Sequence, residues 1–349
     1  MNSLSRRDAL KLAGLAVTSA AASPMRLPIL EDEPLQPGRT GRVCSDLIYV
    51  YEEPESTSKR TGKRTRDQLL SLLEEVISEA GPVHNPRWYR IPGGYVHSGH
   101  IQVVKQLPPQ QPLGSIPRSG ILGEITAPFT RSQRYFRLGG WQPLYRLYYG
   151  SVHWIVGRDE GPDGQPWYRL RDHYVGVEYH AAAADLRAIE PKEYSPIALE
   201  VPPEEKLIHV SIADQYLVAY EGTRVVMECT VSTGRQSPPN LPENAIPSDT
   251  PTGNFRIQTK MPSRHMGDGR LTHELSAYEL PGVPWTMVFS EHGMAFHGTY
   301  WHDNFGTRMS AGCVNMRNDE ALWLFRWANP VYQINNYYKR ESGTRVMIR

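Results

Sequence analysis

His297-Gly298-Thr299, followed by Ser310-Ala311-Gly312-Cys313-Val314-Asn315-Met316, is the stretch on which the reading of this chain turns. Its cysteine sits on a glycine-bearing turn, with a histidine sixteen positions upstream. A thiol becomes a strong nucleophile only when a neighbouring base or positive charge raises its thiolate fraction, so the pairing is chemically informative. No histidine follows Cys313. Any imidazole base must come from earlier in the chain, which excludes the Cys-then-His order of papain-like enzymes. Gly312 permits a turn that points the N–H groups of Gly312 and Cys313 inward, as an oxyanion hole requires. Ser310 either orients an imidazole or caps that turn.

Working outward, 349 residues suffice for two or three domains. Lys and Arg nearly balance Asp and Glu, leaving a formal net charge of +1, which excludes a basic nucleic-acid-binding surface as the main character of the chain. Tyr (19), Gly (29) and Pro (29) are abundant, a bias toward short strands and turns that predicts a mainly β protein. Lys206 to Val210, Tyr216 to Tyr220, Arg224 to Val231, Asn254 to Gln258, Trp285 to Ser290, Gly293 to His297 and Thr344 to Ile348 read as strands. Asn318-Asp319 caps a short helix through Trp327. Of the three cysteines, Cys229 lies in an alternating strand pattern and reads as a packed thiol, and Cys44 as a free one. An odd count argues against a disulfide framework.

The N-terminus, Ser5-Arg6-Arg7-Asp8-Ala9-Leu10-Lys11, resembles a twin-arginine export signal, with an apolar run and Ala20-Ala21-Ala22 behind it. The expectation is a signal over 1–22, too short for a stable membrane span, and a periplasmic, wall-associated or extracellular protein. A Pro-rich linker follows over 23–43. Trp88-Tyr89-Arg90 with Gly93-Gly94-Tyr95 recurs as Trp167-Tyr168-Arg169 with His173-Tyr174-Val175-Gly176. That weak repeat is similar to bacterial SH3-like modules and predicts two small β-barrels, 44–108 and 120–195. The stretch 65–77 is ambiguous: Thr65-Arg66-Asp67-Gln68 resembles a capping box, while the repeat makes it a strand. Strand is the preferred reading. One helical turn is expected from Ala181 to Leu186, and Pro202-Pro203 as the link to the last domain.

Lys206-Leu207-Ile208-His209-Val210, Gln215-Tyr216-Leu217-Val218-Ala219-Tyr220-Glu221-Gly222, Val231-Ser232-Thr233-Gly234 and Thr250-Pro251-Thr252-Gly253-Asn254-Phe255 precede the cysteine motif in this order. As a set they resemble the L,D-transpeptidases of the YkuD type, over about the last two-fifths of the chain. The resemblance implies a β-sandwich catalytic domain at 205–349 with the cysteine on a loop at its rim. It implies Cys313 as nucleophile and His297 as proton donor and acceptor, with Gly312 and Ser310 forming the oxyanion turn. Gly298, Tyr300, Trp301, His302 and Asn315 would surround the substrate, and Arg308 or Arg317 would either meet its carboxylates or stay solvated. The chemistry implied is attack on an L,D-peptide bond of a donor tetrapeptide stem of peptidoglycan, expelling D-Ala. The thioester then passes to an acceptor amine of a second stem, or to water. Carbapenems are the acylating inhibitors to expect, and no cofactor is needed. His292, His297, His302 and Cys313 could also be metal ligands, but they lack the tight spacings of zinc sites, and no metal is expected.

Ala311 departs from the family, which has histidine there. A methyl group neither takes a proton nor donates a hydrogen bond, so a weakened or catalytically dead wall-binding protein is the rival reading. A sortase-like transpeptidase is a further alternative, opposed by Met309-Ser310-Ala311-Gly312 where sortases carry Thr-Leu-x-Thr before the cysteine.

Overall fold

Beyond Pro203 the chain alternates buried and exposed residues, as strands with one face on a core must. The computed structural model describes residues 38–105, 107–240 and 246–349. In it Lys206–Ser211, Tyr216–Glu221 and Arg224–Thr230 pair consecutively as antiparallel strands. Arg345–Ile348 pairs with Lys206–Ser211 in parallel and with Gly253–Arg256 antiparallel, completing a five-stranded sheet. A second five-stranded sheet runs Val314–Met316, Ala295–Gly298, Glu279–Val288, Thr259–Gly267 and Lys339–Arg340. One apolar cluster unites them, with Ile208, Val210 and Leu217 from the first sheet and Met287, Phe296 and Val314 from the second. Helix Asn318–Trp327 adds Ala321, Leu324 and Phe325 to that core.

Strand Thr259–Gly267 is absent from the sequence reading, because Lys260, Pro262, Arg264 and His265 break its apolar alternation. Lys260 is nevertheless fully buried. Its Nζ donates to the Ala328 carbonyl at 2.6 Å, and Lys206 Nζ donates to the Trp327 carbonyl at 2.9 Å. These carbonyls end the helix, where C=O groups lack intrahelical partners and the dipole favours cations.

The expected signal at 1–22 and the first part of the linker lie outside the described residues. The end of the linker requires correction. Arg39–Val43 is a strand, paired with Leu69–Leu72 and Ile101–Val104. Its Arg42 guanidinium is buried and bonded to Asp67 at 2.9 Å and Gln102 at 2.8 Å. The ambiguous stretch forms two strands, Leu69–Leu72 and Glu74–Ile77. Leu70 and Leu72 point inward while Leu73 and Ile77 face solvent, which one helical stripe would not give.

Trp88 and Trp167 each lie on the first strand of a hairpin, Arg87–Ile91 with Gly94–His97 and Pro166–Asp172 with Val177–Ala182. The sheets around them differ. Residues 39–104 build a three-stranded and a five-stranded sheet, whereas 121–188 build one seven-stranded sheet. Ala183–Asp185 is the single turn expected near Ala181, as a 3-10 helix. Leu122, Val152, Trp154, Ile189 and Tyr194 join the same apolar cluster as Ile208 and Trp285. One edge of the second unit therefore packs into the sandwich core, while its Ile125, Leu147, Tyr168, Leu170 and Tyr179 belong to a separate apolar cluster. Among the described residues no helix is long and apolar enough to cross a membrane.

Candidate active site

Strand Ala295–Gly298 pairs in parallel with Val314–Met316, with His297 opposite Asn315 and Phe296 opposite Val314. Side chains alternate across a sheet, so His297 and Asn315 share a face, and Cys313, two residues before Asn315, projects on that face as the strand begins. Sequence distance thereby becomes adjacency at one edge of the sandwich.

The turn carrying the thiol is held from several sides. Ser310 Oγ donates to the Cys313 carbonyl at 2.5 Å and accepts the Gly312 N–H at 3.1 Å. Ser310 therefore caps the turn and does not orient an imidazole. The same bond occupies the Gly312 N–H and so removes it from the expected oxyanion pair. Gly312 has φ +113°, a conformation L side chains rarely adopt, and a Cβ there would stand 2.8 Å from the end of Met294. Thr250 Oγ1 donates to the Gly312 carbonyl at 2.9 Å, and Ser232 exchanges two backbone bonds with Asn315. The upstream motifs thus brace the turn.

His297 is buried, and burial lowers its pKa to about 4. Its Nδ1 lies 2.9 Å from the Gly298 carbonyl and must donate to it, leaving the Nε2 lone pair free to accept a proton. Cys313 is partly exposed as a residue, yet burial of its sulfur pushes the thiol up, against the opposing pull of the Ala295 backbone and Arg264. At neutral pH the pair is a thiol beside a neutral imidazole. That is a general-base arrangement, distinct from a preformed thiolate–imidazolium pair.

His302 lies behind this face. Its Nδ1 accepts the Asn304 N–H at 3.1 Å, so the proton is on Nε2, 2.9 Å from the Asn315 amide. The amide oxygen must then face His302 and the NH2 must face the other way, where the second polar atom of the Asn315 amide is buried without a partner. Burial lowers the His302 pKa to about 3, so the ring stays neutral.

These groups open into a cavity of about 510 Å³ lined by His297, Trp301, Ser310, Ala311, Cys313 and Asn315. Ala311 is exposed at its rim. Four expected substrate contacts are corrected. Tyr300 is buried away from the cleft, with its hydroxyl on the Pro281 carbonyl at 2.9 Å and its own carbonyl accepting from Arg42 at 2.9 Å. His302 supports Asn315 from behind. Gly298 is buried and holds the imidazole through its carbonyl. Arg308 turns outward to Asp249 at 3.6 Å, and Arg317 pairs with Asp303 and Glu320. The sequence missed Arg235, Arg264 and Tyr278 in the cleft wall, and Tyr174 contributed by the second unit. Among the described residues, two arginines and no carboxylate line the cleft. No cluster of His, Cys, Asp and Glu there is arranged to hold a metal, and His292 faces a different cavity.

The structure thus places a thiol, a neutral imidazole and a bracing serine turn on one rim of a two-sheet sandwich. Residues 205–348 match the family model of the L,D-transpeptidase catalytic domain, YkuD, and carry that domain. No curated protein matches the chain. Among solved structures it is similar to the L,D-transpeptidase (residues 123–326) of Xylanimonas cellulosilytica DSM 15894, at 23% identity and TM-score 0.28, over 41% of this chain and 60% of that one. The catalytic domain of the E. faecium L,D-transpeptidase matches at 23% identity and TM-score 0.30, over 42% of this chain and 98% of that one. L,D-transpeptidase 3 from Mycobacterium tuberculosis, in complex with a faropenem-derived adduct, matches at 13% identity and TM-score 0.31, over 71% and 90%. The chain thus spans less than two thirds of the Xylanimonas chain.

Proposed function

We propose that this protein is an exported L,D-transpeptidase that remodels peptidoglycan through a thioester on Cys313. His297 Nε2 takes the thiol proton as sulfur attacks the carbonyl of an L,D-peptide bond in a donor tetrapeptide stem, and returns a proton to the departing D-Ala amine. The Cys313 N–H and the Asn315 amide donate to the oxyanion. Ser310 and Gly312 hold the turn, Trp301 walls the cleft, and Arg235 and Arg264 match an anionic stem. Transfer to an amine gives a cross-link, and transfer to water gives carboxypeptidase activity. Carbapenems acylate Cys313 by the same attack. Residues 1–22 direct export by the twin-arginine route, and the two N-terminal β units are SH3-like modules that carry the sandwich in the wall.

The observation that carries this reading is that His297 and Cys313 line one cavity within the matched domain. The test incubates the mature chain and its Cys313→Ala variant with purified disaccharide-tetrapeptide and follows products by mass spectrometry. Loss of D-Ala with dimer formation, absent in the variant, is expected. No turnover in either protein would favour the wall-binding reading that Ala311 suggests.

A further inference from the structure

The loop between His297 and Cys313 rests on the first unit. The Asp303 N–H donates to the Gly99 carbonyl at 3.1 Å. Asn85, which is buried, donates from Nδ2 to the Asp303 carbonyl at 3.2 Å, and its own Oδ1 accepts from Ser98 Oγ at 3.1 Å. His84 Nε2 stands 3.2 Å from Asn304 Oδ1. The approach is close enough to demand glycine at 99. Its backbone lies outside the left-handed region, but a Cβ there would stand 2.7 Å from Asn304 Oδ1 and 2.9 Å from Asn304 Cβ. Two segments of the first unit, the loop before Arg87–Ile91 and the turn Ser98–His100, thus converge on Asp303 and Asn304.

From there the contacts run to the cleft. The Asn304 N–H donates to His302 Nδ1 at 3.1 Å, which keeps the His302 proton on Nε2, 2.9 Å from the Asn315 amide. That proton requires the amide oxygen of Asn315 to face His302, and so turns the NH2 the other way. Ser232 reinforces the link: its Oγ donates to the Asn304 carbonyl at 3.1 Å, and its backbone exchanges two bonds with Asn315. If Asn304 shifts, the bond that holds the proton off Nδ1 is lost. A flipped Asn315 amide would then present an oxygen where an oxyanion needs a donor.

We propose that the first unit is a working part of the catalytic site. Gly99 and Asn85 are positioning residues: by holding Asp303 and Asn304 against His302, they fix the Asn315 amide as an oxyanion donor. The inference rests on the thioester reading above and on the place of Asn315 in it. A donor speeds acyl transfer only when it is already aimed at the developing charge. An amide held wrongly therefore slows the acylation step and leaves the affinity for the unreacted ligand as it was.

Gly99→Ala drives a methyl group into Asn304, and Asn85→Ala removes the donor to Asp303 without adding bulk. The probe is a carbapenem, with the limiting rate of Cys313 adduct formation and the half-saturating concentration measured separately on the full chain. The limiting rate should fall about tenfold in Gly99→Ala and about threefold in Asn85→Ala, with the half-saturating concentration unchanged. Each variant is then combined with Asn315→Ala, which alone should slow acylation about a hundredfold. A residue that acts through the Asn315 amide costs nothing further once that amide is gone, whereas a general loosening of the fold multiplies with it. Wild-type rates in both variants, or a penalty that persists in full beside Asn315→Ala, overturn the positioning role and leave the thioester reading intact. Acylation of Asn315→Ala at the wild-type rate does the same. If Gly99→Ala does not fold, the Asn85→Ala pair decides by the same criterion. A wild-type chain that forms no adduct overturns both readings.

Discussion

At the residue scale, the reactivity of Cys313 follows from two burials. His297 is driven neutral, with a pKa of about 4, and the thiol is pushed above its ordinary 9.0. Carbapenem acylation should therefore rise with pH only through the low imidazole value and then stay flat to the alkaline thiol limb. Stopped-flow rates across that range check it, and a step near the ordinary imidazole value of 6.5 would contradict it. Ala311 lies at the exposed rim of the cleft, and the base comes from strand Ala295–Gly298. Ala311→His should accordingly change the acylation rate by less than about tenfold, since the base is already in place. Gly312→Ala should be far worse, costing about 1–3 kcal/mol through a disfavoured backbone, and is read by thermal melting together with adduct formation. The motif residues were legible because thiol, base and turn lie in one short stretch. The roles of Tyr300, His302 and Arg308 were not, because neighbouring residues on a loop point to opposite sides and only register decides which meets the substrate.

At the element scale, strand Thr259–Gly267 ties the sandwich to the second unit through His265. Burial alone would lower the His265 pKa, but the bonds to Asp172 and Glu279 outweigh it and raise the value above 6.5. Stability from this imidazolium is fully present below 6.5 and is lost as pH rises through the raised folded value. Burial likewise opposes Asp172, yet its His265 bond lowers the pKa below 3.8, so that contribution is lost as pH falls through the lowered value. Melts of wild type and His265→Gln should differ most at mildly acidic pH and converge toward alkaline pH. A difference that grows with pH would contradict the assignment. This strand escaped the sequence reading because its charges meet partners far away in the chain. The strands of the first sheet were visible because their alternation is local.

At the scale of the whole molecule, the second unit adds one edge to the core of the sandwich and keeps an apolar cluster of its own. Trp154 is nearly fully buried within the shared cluster, so Trp154→Ala should lower stability by about 3–5 kcal/mol in urea unfolding. Unfolding of the second unit and of the sandwich should shift together, because Trp154 lies in the cluster to which both contribute. Unfolding of the second unit alone at lower urea, with the sandwich unaffected, would show that the core is divided. The first unit is tied in by a polar knot. Asp67 pairs with Arg42 of its own unit and Arg146 of the second, and Arg42 donates to Tyr300 just beyond His297. The sequence showed a mainly β chain with units before the sandwich. It did not show that an edge of the second unit enters the sandwich core, since that depends on faces contributed by Leu122 and Trp154 that read equally well as a module's own interior. The central claim is that Cys313, with His297 as its base, forms a thioester. It is tested most directly by intact mass and peptide mapping after incubation with a carbapenem. The account predicts one adduct on the Cys313 peptide, none in Cys313→Ala, and formation slowed about a hundredfold or more in His297→Ala. An adduct that persists in Cys313→Ala, or none in the wild-type chain, would contradict it.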